Sequence, residues 1–161
     1  MMQLAPTITD SWNANNAVNN ALLEHLTRAM LEARTPGEGW TVGQHIAHMV
    51  GFYKWFSVRF DERLKSLPDL QDREAEENVF VGDLEQIRSV WPQTRDAVLN
   101  AVQHAKDKGK MPHSSLEHFV IHVLVHDAHH RGQILLALKV AGFGMEDDEN
   151  IWKPWRTETH A

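Results

Sequence analysis

Histidines recur at positions 118, 122, 126 and 130, and the last two open and close the run HDAHH within HDAHHRGQ over 126–133. A step of four residues is slightly more than one helical turn, so neighbouring rungs of this ladder stack on one face of a helix. Phe119, Val120, Val123, Leu124, Leu135 and Leu138 keep helical spacing through the same stretch. Ser114 followed by Glu117 reads as a capping box, and Gly142 as a stop, which predicts a helix over 114–141.

Three more helical patterns precede it. One runs over 11–33, capped by Thr9 or Asp10, with Leu22, Leu26, Ala29, Met30 and Ala33 as its apolar stripe and an Asn-rich first half. The segment RTPGEG ends it. A second starts at Thr41, where Thr41 and Gln44 form a capping box behind Trp40, and carries Ile46, Met49, Val50, Tyr53, Phe56, Phe60 and Leu64. A third spans 83–106, capped by Asp83 with Gln86, and its internal Pro92 predicts a kink or a broken turn. The connection over 66–82 is long for a helical bundle and reads as a loop with room for a short extended or helical piece. With no repeat, no alternating strand pattern and no hairpin turn, the chain reads as an all-α four-helix bundle. A single domain over 1–161 is expected, with its core at about 10–142 and a tail over 143–161 that holds Trp152 and Trp155.

The chain has 161 residues, 42% of them hydrophobic and 24% charged, as in an ordinary globular domain. A net charge of −6 argues against a partner recognised through its phosphate backbone. The acidic run over 146–149 reads as solvated loop. Cysteine is absent, which excludes disulfides, thiolate metal sites and a cysteine nucleophile, and fits a reducing compartment. No stretch approaches the roughly 18 apolar residues of a membrane span. The start MMQLAPTITD lacks the basic region and apolar run of a signal peptide, so a cytoplasmic chain is expected.

Helix geometry limits what the ladder can do. His118 and His130 are roughly 18 Å apart along the axis, at about 1.5 Å per residue. Only an adjacent pair can share one ion, and a catalytic site usually takes a third protein ligand. His45 and His48, near the apolar edge of the second helix, can supply it from across the bundle. An imidazole pointing inward needs both ring nitrogens satisfied, one by the metal and one by a neighbour. For any single histidine, a hydrogen-bonded or surface role is commoner than metal ligation. His25, His104, His113 and His160 read as surface or loop residues, and His118 and His122 as the helix surface or a cavity rim. Asp127 is a candidate acceptor behind a ligand but is expected to face water. Arg131 suits an anionic substrate, an ion pair or the surface equally, and Gly132 is expected to admit a close neighbouring helix. The carboxylate pattern of di-iron bundles fails, because Glu117 is followed three residues later by Val120 rather than histidine.

The pair WTVGQHIAHMV over 40–50 and HDAHHRGQILLAL over 126–138 resembles the DinB-like (DinB/YfiT-like) family of four-helix-bundle proteins. The likeness runs from the first helix to about Gly142, while Pro92 and the Trp-rich tail have no clear counterpart. It implies a divalent ion, Zn or Ni with Fe as a further candidate, on His48, His126 and His130, with water completing the shell. His45, His122 and Arg131 then become candidates for supporting the ligands or touching substrate, and His129 and Asp127 for catalytic proton transfer. The resemblance further implies a cytoplasmic homodimer acting on a small molecule, as a hydrolase or as a transferase or isomerase that uses a low-molecular-weight thiol. The competing expectation is a non-catalytic, stress-associated dimeric binding module whose metal is structural or incidental.

Overall fold

The computed structural model describes residues 4–72, 74–75, 78–144 and 152–155. Four helices dominate: α1 (Pro6–His25), α2 (Val42–Ser57), α3 (Leu84–His104) and α4 (Leu116–Val140). Each start has a local cause. Pro6 occupies the first turn of α1, where its missing N–H costs nothing. Thr41 and Asp83 close reciprocal capping boxes with Gln44 and Gln86. Gly142, at φ +81°, ends α4 in a left-handed turn. The amide of Phe143 bonds the Leu138 carbonyl and that of Gly142 bonds the Lys139 carbonyl. Replacing Thr41 by alanine will cost about 1 kcal/mol in a denaturant-unfolding measurement, since the Gln44 amide loses its acceptor.

The structure departs from the sequence expectations at several boundaries. The first helix begins earlier than position 11 and stops at His25. Leu26 turns extended, and a short 3-10 turn over Ala29–Glu32 follows. Met30 and Leu31 stay buried through that turn, so the apolar spacing runs on past the helix end. The α4 cap is Ser115, which accepts from the His118 amide. The Ser114 hydroxyl instead meets His118 Nδ1 at 2.9 Å. Pro92 breaks no turn, and the 21-residue α3 runs through it. The second helix ends at Ser57, short of Phe60 and Leu64, and a 3-10 turn (Glu62–Ser66) follows; the long connection after it holds a two-stranded antiparallel ribbon, β1 (Gln71–Asp72) against β2 (Val79–Phe80), with Gln71 opposite Phe80. The acidic run over 146–149 and His160 lie outside the described residues.

The helix α2 lies at the centre of the bundle, packed against both α3 and α4, while α1 packs on α4. Trp12, Ile46, Val50, Tyr53, Ile87, Val98, Phe119, Val123, Ile134 and Leu138 form one continuous core drawn from all four helices. Tyr53 links three of them, edge-on to Trp12 of α1 and to Trp91 of α3. From the tail, a short turn over Lys153–Trp155 packs on α1. Among the described residues no helix is long and apolar enough to cross a membrane.

Candidate metal centre

Where α2 and α4 face each other, His48, His126 and His130 converge, and one ring nitrogen from each lies within 4.8 Å of the others. The two α4 residues are one turn apart, with ring centroids 4.4 Å from each other. His48 closes the triangle at 4.8 Å from His130 and 5.1 Å from His126. Among the described residues no other group of three histidine, aspartate or glutamate side chains has its ligand atoms that close together, and this one contains no carboxylate.

The surroundings favour neutral imidazoles. Burial, reinforced by the neighbouring histidines, pulls the pKa of His126 down to about 3 and that of His130 to about 2. The rings are held from outside the triangle. His45 Nδ1 meets His130 Nδ1 at 2.9 Å, which leaves Nε2 of His130 for a ligand role. Phe52 stacks on His126 at 3.7 Å, and Trp40 lies parallel to His130 at 6.1 Å. Nδ1 of His126 is buried without a hydrogen-bond partner, as is Nε2 of His45. Neutral imidazoles, an unmet nitrogen and converging rings fit a borderline divalent cation.

These shifts fix the sign of an acid response. Burial first, then His129 and His48, lowers His45 to about 4. In the unfolded chain all three buried histidines protonate near 6.5, so their contribution to stability is complete above that pH and is lost as pH falls toward the folded values. Asp127, raised by burial to about 6, acts oppositely, because the folded state takes up its proton first. Three histidines outweigh one carboxyl. The melting temperature of metal-free protein will therefore fall steadily from pH 7 to pH 5, and a flat profile would contradict the burial of these rings.

Immediately beside the ligand pair, α4 presents a second polar face to α1. Asp127, fully buried, accepts at Oδ2 from Asn15 (2.7 Å), Asn19 (2.9 Å) and the Tyr53 hydroxyl (2.6 Å). The same two asparagines turn their carbonyl oxygens to the Arg131 guanidinium. Each amide thus bridges a carboxylate and a cation. Trp152 covers Arg131 with its ring centroid 5.4 Å away. The expectation that Asp127 faces water is overturned: its position on α4 lies against α1, not on the outer side of the bundle. Arg131 is 3% exposed and committed to α1, a placement that gives no support to an anion-binding role. The Asn15/Asn19 pair is the part of this network that the sequence expectations do not contain. Its signal was present, since two asparagines one turn apart match Asp127 and Arg131, also one turn apart.

The remaining histidines divide. His129 is exposed, 5.0 Å from the His130 ring. His118 is exposed and His122 half-buried against the edge of Phe52, both outside the triangle. His104 is exposed and His25 half-buried. His113 departs from the surface reading. It is buried, with Nε2 at 2.8 Å from His122 Nδ1 and its ring against Phe56 and Phe119. Gly132 faces open space, so it admits no neighbouring helix within the chain.

Fold and site together define a helical-bundle protein with a three-histidine centre able to coordinate a metal ion. The DinB family model matches residues 1–160, and the chain belongs to that family. A DinB-like protein from Bacillus cereus ATCC 10987, known from a crystal structure at 2.01 Å, shares the fold with a TM-score of 0.62. The two are 18% identical, and the match covers 88% of this chain and 95% of the other. A comparison with curated proteins found no match.

Proposed function

We propose that the protein is a metal-dependent enzyme in which His48, His126 and His130 hold one divalent ion and leave a coordination position open to a nucleophile. The carrying observation is the donor set: three converging imidazoles, of which His126 and His130 are kept neutral by burial, with no carboxylate to offset the ion's charge. Held by His48, His126 and His130, such an ion would supply Lewis acidity, which serves either hydrolysis or thiol transfer to a small molecule. The chain's own residues prepare that chemistry. His45 accepts the Nδ1 proton of His130 and so fixes the tautomer that points Nε2 inward. Trp40 and Phe52 wall the rings and keep water from their faces. We assign His129, exposed with its ring 5.0 Å from that of His130, the role of passing a proton to solvent. A thiol would have to come from solution, since the chain has none.

A homodimer in the cytoplasm is part of this reading. Ile121, Val125, Leu136 and Val140 form an exposed apolar line on α4, with Gly132 in the same row. The deciding experiment loads the protein with Zn(II) or Ni(II) and supplies an electrophilic substrate panel with and without a low-molecular-weight thiol. Turnover that requires the thiol assigns a transferase, and turnover without it a hydrolase. If neither occurs with the site filled, the metal is structural and the protein is a binding module.

A further inference from the structure

Two rungs of the ladder take no part in the proposed centre, yet they repeat its one-turn pairing along the helix. His118 and His122 are one turn apart on α4, as His126 and His130 are. A third imidazole from outside the helix completes each pair: His48 from α2 for one, His113 from the segment before α4 for the other. The His113 ring centroid lies 5.1 Å from that of His122 and 5.7 Å from that of His118. Two imidazoles on one tetrahedral ion place their centroids roughly 5 Å apart, given metal–nitrogen bonds near 2 Å.

We infer that His113, His118 and His122 form a second binding site for a borderline divalent cation such as Zn(II), Ni(II) or Cu(II). The facing nitrogens are already in place, His113 Nε2 and His122 Nδ1 at 2.8 Å. His118 Nδ1 is engaged by the Ser114 hydroxyl, which can accept its proton and leave Nε2 as the donor to an ion. His118 is exposed, so its ring swings inward at little cost. As a plain hydrogen-bonded pair the arrangement is poor. His113 is 7% exposed and its Nδ1 is buried with no partner. That loss is of the same order as the gain from one neutral hydrogen bond, or larger. Ion binding supplies a reason for a histidine where an apolar side chain would bury more cheaply.

The two sites are separate. Eight residues of helix set them roughly 12 Å apart, well beyond the roughly 4 Å that lets two ions act on one substrate. The positive charges of Lys108 and Arg59 lie close enough to His113 to oppose a cation, so the second site is the weaker of the two and releases its ion first to a chelator.

The test counts Zn(II) in tag-free protein, metal-depleted, reloaded and passed through gel filtration. Wild type will retain two equivalents and His118→Ala one. His118 is exposed, so that variant keeps its fold. His48→Ala/His126→Ala, checked for helicity, will retain one equivalent, lost on adding His122→Gln. Equal counts in wild type and His118→Ala overturn the proposal, as does a folded His48→Ala/His126→Ala protein that binds nothing. A single equivalent in wild type that disappears in His118→Ala but survives His126→Ala would support this site and remove the other. If the double variant does not fold, the wild-type and His118→Ala counts decide alone.

Discussion

Replacing Asp127 by alanine will destabilise the bundle by about 3–5 kcal/mol, enough to remove a large share of the stability of an ordinary domain. The carboxylate is fully buried and three side chains donate to one of its oxygens. Without it, the amides of Asn15 and Asn19 and the Tyr53 hydroxyl lose their acceptor, and the Arg131 guanidinium stays buried with no counter-charge. Urea unfolding of the metal-free variant is the measurement. The paired change Asp127→Leu/Arg131→Met will be much milder than the single variant, because it removes the stranded cation along with the anion. A single variant within 1 kcal/mol of wild type would mean that the five-residue network carries no weight. Tyr53→Phe leaves only one donor missing and will cost about 1 kcal/mol.

Loss of metal is the second large effect. His126→Ala or His130→Ala will weaken metal affinity at the inner site by roughly 100-fold or more, taking a structural zinc site's total binding energy as shared among its ligands. His48→Ala will do the same from the opposite helix, because the triangle needs a donor from α2. His45→Phe will act through His130 alone, lowering affinity by about 10–100-fold while leaving all three ligands in place. A chelator competition at pH 7.5 ranks the four variants. If His118→Ala empties the inner site while His130→Ala keeps it, the ligand assignment is wrong.

Much of this molecule is legible in one dimension. The capping boxes at Thr41 and Asp83 and the left-handed stop at Gly142 lie where their residue types put them, since capping is settled within a few residues. The pairing of His126 with His130 is equally local, being one turn of helix. The end of α1 was harder, because Leu26, Met30 and Leu31 stay buried on either side of the break. Hydrophobic spacing reports burial and carries no mark of the point at which the backbone stops being helical.

The sequence by itself determined four helices, the caps at Thr41 and Asp83, the stop at Gly142 and the ladder of imidazoles along the last helix. Tertiary structure decided what the residues between the rungs face. The middle of α4 is polar on two buried sides, with His126 and His130 toward α2 and Asp127 and Arg131 toward α1. Periodicity alone assigns charged residues to solvent, because burial of a charge is tolerated only when partners satisfy it. Those partners are Asn15 and Asn19, more than 100 positions away, and no spacing along the chain reveals that they meet. His113 was hidden for the same reason: its position in a loop suggested exposure, and only the packing of Phe56 and Phe119 around it put it inside, against His122.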